Sequence, residues 1–314
     1  MSGKSTATGA VDIGGTKIAI GLVDEHGNLL DREEMPTAAT EGSARGFERI
    51  ALALEALRLR TGVGLHGIGI GCTGPVDPLS GEIGVVEFLP GWCGANPVHA
   101  LAERFGVTVA MENDADAAAL AEAEWGAGRG KQSLICVTVG TGIGAGIVLN
   151  GSLYRGVGGA HPEVGHHVID DSGPRCFCGA RGCWEVLARG PAMAERVLRE
   201  SPGSKPLTAQ DVCEAARSGD PLAAREVARE GRYLGLGIAN LITLYAPEMI
   251  VLAGNVMESL DLFMPVIRRV VSESCGLVPA DRVAIAPAAL GAATPLVGAA
   301  AVWLHRLGRT PTSC

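Results

Sequence analysis

Apolar residues follow two different periods in the first part of the chain. Residues 10–35 alternate short apolar runs with a Gly-Gly turn and a His-Gly-Asn turn, which predicts a meander of three strands. Apolar positions three or four residues apart over 43–60 predict a helix, and residues 67–71 predict another strand. A strand over 107–111 and an alanine-rich helix over 115–125 are predicted next. This part of the chain therefore favours an α/β unit.

The middle of the chain repeats the opening pattern. Residues 134–154 again predict a strand, a glycine turn and a strand, followed by an Asn-Gly hairpin dipeptide. A long helix is predicted over 223–245, a strand over 249–252, and an apolar closing helix over 291–304. The repetition predicts a duplicated β-meander core.

A duplicated core predicts two lobes with a cleft between them. A chain of 314 residues also exceeds the usual size of one domain. We expect a small N-terminal α/β lobe of residues 1–115 with 299–314, and a larger α/β lobe of residues 116–298. The lobes should meet at a hinge near residues 112–116 and 298.

Composition and charge limit the classes of function. Hydrophobic residues make up 47% of the chain and charged residues 19%, which is typical of a folded protein. The net charge of −8 and the lack of a Lys/Arg-rich stretch argue against binding to nucleic acid. No apolar run is long enough to span a membrane, and residues 1–9 lack a signal-peptide core. We therefore expect a cytoplasmic protein without a membrane partner.

Two glycine turns are candidates for binding phosphate. The first follows the opening strand and comprises Asp12, Gly14, Gly15, Thr16 and Lys17, in which backbone N–H groups could approach phosphate while Asp12 faces a metal ion. It is not a Walker loop, because a strand follows it.

The second turn occurs in the repeated unit and comprises Gly140, Thr141 and Gly142. Either turn alone could be an ordinary hairpin. Two such turns on two lobes could clamp a polyphosphate between them.

Glu112-Asn113-Asp114 lies where a predicted strand passes into a helix. Side chains at such junctions project into the clefts of α/β sheets, so Asp114 is the candidate general base for a phosphoryl transfer. Helix capping by Asn113 or Asp114 is the alternative interpretation, and the two roles can coexist.

A cluster of cysteines gives the sharpest local signal. His166, Cys176, Cys178 and Cys183 form a three-thiolate, one-imidazole set that is typical of a closed, structural zinc site. His167 competes with His166 for the fourth position, and unmetallated thiols are the alternative. The other six cysteines are scattered and are interpreted as free thiols.

Two glutamates flank this cluster. Glu163 precedes His166 by three residues, and Glu185 follows Cys183 by two. A zinc site that fixes the loop would also fix two carboxylates able to accept hydrogen bonds from sugar hydroxyls. The alternative for each glutamate is a solvated surface position.

These segments together resemble the ROK (repressor, open reading frame, kinase) family over nearly the whole chain. The motifs occur in the family's order. They are Asp12 to Lys17, Gly69 to Asp77, Leu89 to Trp92, Glu112 to Asp114, Gly140 to Gly144, Glu163 to His166, Cys176 to Glu185, and Ala239 to Leu252.

The resemblance implies the two-lobed actin-like (ribonuclease H-like) ATPase fold, with ATP and Mg²⁺ in the cleft and Zn²⁺ in the cysteine cluster. It implies Asp114 as the base, and a hexose contacted by Asn113, Glu163, His166 and Glu185. Gly254 and Asn255 would follow the strand that leads to the adenosine. The run Gly-Cys-Trp-Glu is similar to the glucokinases of the family, which implies transfer to the 6-hydroxyl of glucose by a homodimer or homotetramer.

Four departures from the family pattern leave the substrate open. His161-Pro162 is similar to the fructokinase branch, Phe88 stands where an asparagine is common, and Asp116 also replaces a common asparagine. Gly254-Asn255 departs from a usual triple glycine. Kinases for fructose, N-acetylglucosamine or N-acetylmannosamine remain alternatives.

Two non-enzymatic functions also fit the resemblance less well. A repressor would carry a helix-turn-helix module, and only eleven residues precede Asp12. A catalytically inactive sugar sensor is the other alternative.

Overall fold

The computed structural model describes residues 6–201, 205 and 207–308, and its strands form two five-stranded sheets. In chain order the strands are β1 (Thr6–Ile13), β2 (Lys17–Val23), β3 (Leu29–Pro36), β4 (Gly64–Cys72), β5 (Val76–Asp77), β6 (Glu82–Ile83), β7 (Thr108–Asn113), β8 (Leu134–Val139), β9 (Ile143–Leu149), β10 (Ser152–Leu153), β11 (Met249–Ala253) and β12 (Ala284–Pro287). The short strands β5 and β6 pair separately as a hairpin.

The helices cover these sheets. They are α1 (Ser43–Thr61), α2 (Pro97–Phe105), α3 (Asp114–Glu124), α4 (Trp184–Ala188), α5 (Gly190–Glu200), α6 (Ala209–Arg217), α7 (Pro221–Tyr245), α8 (Leu260–Ser274) and α9 (Thr294–Trp303). In the described ranges, none of these helices combines the length and the apolar character that crossing a membrane requires.

The two sheets have the same topology. The first has the order β3-β2-β1-β4-β7 and the second the order β10-β9-β8-β11-β12. In each, three antiparallel strands form a meander whose first strand pairs in parallel with a fourth, which pairs in parallel with a fifth. The predicted duplication of the meander core is therefore confirmed, and the second sheet shows that β12 completes the repeat.

Parallel pairing brings the ends of three strands of the first sheet together. Asp12 of β1 is in register with Gly71 of β4, which is in register with Glu112 of β7. The carboxyl ends of parallel strands share one sheet edge, so the first glycine turn and the Asp114 junction lie at the same edge. This register sets the position of the candidate site.

Helices α3 and α9 pack against each other between the two sheets. Helix α9 contacts β1 and β4, whereas α3 contacts β8 and β9 of the second sheet. Their close approach requires Gly298, because a Cβ atom there would lie 2.8 Å from the carbonyl oxygen of Ala117. The apolar closing segment therefore returns to the first sheet, as predicted.

A buried ion cluster joins three helices of the second half. Arg196 of α5 donates to Glu226 (2.8 Å) and Glu230 (2.5 Å) of α7, and both glutamates are fully buried. Its remaining nitrogen donates to the carbonyl oxygen of Leu187 in α4 at 2.7 Å. The cluster thus fixes α4, the helix that carries Glu185.

Glu230→Gln is expected to weaken the pH dependence of stability. Burial raises the pKa of Glu230 to about 7, from an ordinary value of 4.5, against the opposing attraction of Arg196. The folded protein therefore binds a proton at this site that the unfolded chain has already lost, so stability present below pH 4.5 is lost as the pH rises through about 7.

Urea midpoints at pH 5 and pH 8 measure this effect. We expect a larger fall between the two pH values for the wild type than for Glu230→Gln, which keeps the shape of the side chain. The exposed Glu214→Gln on α6 is the matched control and should follow the wild type. Identical falls for the wild type and Glu230→Gln would contradict the assignment.

Candidate active site

The first glycine turn connects β1 to β2 at the edge of the first sheet. The N–H of Gly14 donates to the carbonyl oxygen of Lys17 at 3.0 Å and closes the turn. This donor is therefore already bonded, and Gly15 and Thr16 remain at the tip. A Cβ atom on Gly15 would lie 2.5 Å from the Cβ of Phe88, so Phe88 lies against the turn.

Asp12 is the penultimate residue of β1 at this edge, and its side chain is poorly solvated. Burial and the nearby charge of Asp114 raise the pKa of Asp12 to about 7, and Lys17 partly opposes this. Two carboxylates that repel each other in a poorly solvated site favour a divalent cation between or beside them. Asp12 therefore has the environment of a metal-facing carboxylate.

Asp114 is the first residue of α3, directly after β7. Asn113 is the N-cap, and its Oδ1 accepts the N–H of Ala115 at 2.9 Å, while Asp114 Oδ1 accepts the same N–H at 2.8 Å. The capping interpretation therefore applies to Asn113. Its cap bond uses the amide oxygen and leaves the amide nitrogen as a donor.

The side chain of Asp114 is exposed to solvent, yet many protein atoms lie around its carboxyl group. Burial raises its pKa above the ordinary value, and the carboxylates of Asp116 and Glu163 add to the rise. The Ala115 N–H and His161 oppose it. A raised pKa makes the carboxylate a better proton acceptor, which suits a general base.

The second glycine turn connects β8 to β9 and is one residue tighter than the first. Gly140 donates its N–H to the carbonyl oxygen of Gly142 at 2.9 Å. Because β8 pairs with β11, the turn after β11 comes beside it, and a Cβ atom on Gly140 would lie 3.1 Å from Asn255 Oδ1. The structure therefore brings the predicted adenosine turn and the second phosphate turn together.

The predicted zinc ligands converge in the structure. The ligand atoms of His166, Cys176, Cys178 and Cys183 all lie within 4.8 Å of one another. Cys176 Sγ is 3.5 Å from His166 Nδ1, and Cys178 Sγ is 3.5 Å from Cys183 Sγ. Tetrahedral zinc with Zn–S bonds of about 2.3 Å requires sulfur atoms about 3.8 Å apart, so this set fits the ion.

His167 is directed away from the cysteines. Its Nδ1 lies 2.5 Å from the carbonyl oxygen of Val164, and its ring packs against Trp184. His166 instead presents Nδ1 to Cys176, and its Nε2 lies 4.0 Å from Glu185 Oε1. The geometry favours His166 of the two histidines, with its second nitrogen facing a carboxylate.

Glu185 links the cysteine cluster to the second glycine turn. Its Oε2 accepts the N–H of Ile143, the residue after the turn, at 2.9 Å. One carboxylate oxygen therefore holds the turn, and the other faces His166. Glu163 is exposed on the same side as Asp114, whose pKa responds to its charge.

The sequence analysis missed Arg155 and Arg306, and it recognised His161 and Asp116 only as departures from the family pattern. Arg155 and Arg306 both bond to Glu112, and Arg155 and His161 both bond to Asp116. The arginines carry no local motif, so sequence patterns give no signal for them.

The arrangement can bind two anionic groups and move a proton. The two glycine turns belong to different sheets, and Asp114 lies at the edge of the first sheet beside the first turn, with its proton affinity raised. Carboxylates and amide donors beside it, from Asn113, Glu163 and Glu185, can hydrogen-bond hydroxyl groups. These features suit transfer of a phosphoryl group to a hydroxyl.

Comparisons with known proteins give consistent matches. The sequence model of the ROK family matches residues 8–306. The glucokinase of Streptomyces coelicolor is 35% identical over 276 residues, covering 82% of this chain and 85% of that protein. Two crystal structures are also similar.

The ROK hexokinase from Thermus thermophilus has a TM-score of 0.82 and 35% identity, covering 95% of this chain and 98% of that one. A ROK family glucokinase from Streptomyces griseus, in complex with glucose and AMPPNP, has a TM-score of 0.79 and 32% identity, covering 94% and 98%.

Proposed function

The chain belongs to the ROK family, and on this premise we propose that it is an ATP-dependent hexokinase that phosphorylates the 6-hydroxyl of glucose, with Asp114 as the general base. Its fold is the actin-like ATPase fold of the ROK sugar kinases. The observation that carries the proposal is the register that sets Asp114 beside Asp12 and the first glycine turn.

The chemistry follows from the position of Asp114. Its carboxylate accepts the proton of the 6-hydroxyl as the sugar oxygen forms a bond to the γ-phosphorus of ATP. The bond between that phosphorus and the bridging oxygen of ADP breaks, and ADP leaves with the electron pair. Asn113, Glu163 and Glu185 orient the sugar by hydrogen bonds, and the two turns orient the phosphates.

Mg²⁺ fits the same edge. Asp12 would bind it, because a cation would stabilise the charged form of this carboxylate, which burial and repulsion from Asp114 disfavour. When bound, Mg²⁺ neutralises charge on the phosphates that otherwise opposes the transfer. Gly15, Thr16 and Thr141, at the tips of the two turns, would bind the phosphate groups. Gly254 and Asn255, beside the second turn, would contact the nucleoside.

Zn²⁺ is proposed as a structural ion of the cysteine cluster. The four ligands fill a tetrahedral shell and leave no position for substrate. The ion would stabilise the loop between His166 and Cys183, and through Glu185 it would fix the second glycine turn and one side of the sugar site.

Glucose is expected to be the preferred hexose. In a coupled assay with ATP and Mg²⁺, kcat/KM for glucose should exceed that for fructose, N-acetylglucosamine and N-acetylmannosamine at least about tenfold, which is roughly 1.4 kcal/mol of transition-state binding. The Asp114→Asn protein, purified in parallel, controls for contaminating kinases.

Two outcomes of this assay carry different meanings. A tenfold preference for fructose, the rival suggested by His161-Pro162, would leave the kinase class intact and overturn the glucose assignment. No phosphorylation of any hexose would overturn the proposed function itself.

The lobe boundaries and the assembly are part of the proposal. We assign residues 1–115 with 299–314 to one lobe and 116–298 to the other, a division that agrees with the distribution of the strands between the two sheets. Residues 1–5 and 309–314 lie outside the described part of the chain. A homodimer or homotetramer remains the proposed assembly, on the family resemblance alone. Light scattering during gel filtration would measure it.

A further inference from the structure

Five charged or titratable side chains form a continuous bonded chain around Asp114. In order they are Arg306, Glu112, Arg155, Asp116 and His161, and we call them the charge ladder. Glu112 Oε1 accepts from Arg306 Nε at 2.6 Å, and its Oε2 accepts from Arg155. Asp116 Oδ2 lies 2.8 Å from Arg155 Nη1 and 2.7 Å from His161 Nδ1.

The ladder brackets the candidate base. Glu112 lies two residues before Asp114, at the end of β7, and Asp116 lies two residues after it, in the first turn of α3. Arg155 binds the carboxylates of both Glu112 and Asp116, and therefore links the end of β7 to the first turn of α3. The direction of the Asp114 side chain depends on this junction.

The same ladder holds the segment that carries Glu163. Arg155 and His161 both belong to residues 155–163, between β10 and the cysteine cluster. Arg155 contacts the junction at the start of this segment and His161 contacts it two residues before Glu163. Two anchors on a segment of nine residues restrict how far Glu163 can move relative to Asp114.

The side chains of the ladder are largely buried, and a contribution to folding stability does not explain why buried charges occur there. The side chains of Glu112 and Asp116 are 2% and 0% exposed, and those of Arg155 and His161 are 17% and 14% exposed. Buried ion pairs lose as much solvation as they gain in attraction, so they add little stability over apolar residues. Asp116 Oδ1 has no protein partner among the described residues, which adds to the cost.

We propose that Arg155 and His161 are positioning residues, which fix Asp114 and Glu163 relative to each other. Arg155 does so by binding Glu112 and Asp116, and His161 by binding Asp116. The inference rests on the hexokinase function proposed above. Burial lowers the pKa of His161, and the charge of Arg155 lowers it further. The hydrogen bond to Asp116 and the negative charges of Asp116 and Glu163 outweigh both effects, so the pKa is raised overall. The hydrogen bond between His161 and Asp116 is therefore strengthened when the imidazole is protonated.

Variants in which the side chain at position 161 resembles histidine to different degrees test the proposal. Asparagine can place an amide nitrogen near the position of Nδ1, whereas glutamine extends it towards that of Nε2. We expect His161→Ala and His161→Gln to lower kcat/KM for glucose about tenfold, with KM for ATP within about twofold of wild type. His161→Asn should recover most of the loss, which a purely structural role would not predict.

A double-mutant cycle isolates the pair. Asp116→Asn should cause a loss at least as large as that of His161→Ala, because it also weakens the bond to Arg155. The double variant should be no more than about threefold worse than Asp116→Asn, because both changes remove the interaction between His161 and Asp116. Additive losses would overturn the proposal. Losses that follow the fall in Tm and are not rescued by His161→Asn would also overturn it.

Hydrogen–deuterium exchange gives a readout that does not depend on catalysis. His161→Ala should increase exchange in both residues 112–116 and residues 155–163, since the ladder joins them. Increased exchange in only one segment would overturn the positioning role. If the wild type phosphorylates no hexose, the proposed function fails, and the exchange result still decides whether the ladder couples the two segments.

Discussion

Replacing Asp114 with asparagine is expected to lower kcat for glucose at least about a hundredfold. An amide cannot accept the hydroxyl proton, and general base catalysis contributes about 10² to 10⁴ in rate. A hundredfold loss corresponds to about 2.7 kcal/mol of activation free energy. Asparagine keeps the shape and one oxygen of the side chain, so the Kd for glucose, measured by calorimetry, should stay within about fivefold of wild type.

The same substitution is expected to preserve or raise Tm. The pKa of Asp114 in the folded protein is above its ordinary value of 3.8, because burial disfavours the charged form. Stability associated with the protonated carboxyl is present below pH 3.8 and lost as the pH rises through the folded pKa. At neutral pH the charge therefore costs folding free energy, and the neutral amide removes this cost.

Two controls sharpen the test. Asp261→Asn changes an exposed carboxylate on α8 and should leave kcat unchanged. Asp116→Asn should cause a smaller loss than Asp114→Asn, because Asp116 acts through its partners. Near wild-type kcat for Asp114→Asn together with a larger loss for Asp116→Asn would show that the base has been assigned to the wrong carboxylate.

Loss of the cysteine cluster is expected to give the largest effect on stability. Metal analysis should find one zinc ion per chain, and Cys178→Ser should remove it and lower Tm by roughly 6–12 °C. This estimate takes about 3 kcal/mol for a lost structural site and roughly 2–4 °C per kcal/mol for a domain of this size. Activity should also fall, because Glu185 follows Cys183 closely and holds the N–H of Ile143.

Cys93→Ser is the matched control for this experiment. Cys93 is also an exposed free cysteine, but it lies outside the cluster. It should keep the zinc, the Tm and the activity of the wild type. The zinc proposal would be wrong if the wild-type protein contained no zinc, had full activity and had the same Tm as Cys178→Ser.

Local patterns in the sequence were sufficient for the two meanders, for β4, β7 and β11, and for helices α1, α3, α7 and α9, but not for the other helices or for β12. The predicted helix over 43–60 corresponds to α1 (Ser43–Thr61), and the predicted helix over 223–245 corresponds to α7 (Pro221–Tyr245). Their periodicity is strong because one face of each packs against a core. The alanine-rich helix α3 begins at Asp114, one residue earlier than predicted, because Asn113 supplies the cap.

Candidate site residues could be named from the sequence where they belong to short motifs. The glycine turns, the Glu112-Asn113-Asp114 junction and the cysteine cluster each combine residue types whose chemistry is specific at close spacing. The sequence left open which of His166 and His167 faces the cysteines. That choice depends on the packing of His167 against Trp184 and on its contact with Val164.

The sequence by itself determined the duplicated meander, the two turns and the candidate base, because these depend on residues that are neighbours along the chain. Only the tertiary structure decided which distant side chains meet. Glu226 and Glu230 look like surface residues of a helix, yet Arg196 pairs with them in the interior. The partners of Glu112 and Asp116 are Arg155, His161 and Arg306, which lie about 40 residues or farther along the chain. Such pairs depend on how sheets and helices pack, and hydrophobic periodicity carries no information about which buried charges will face each other.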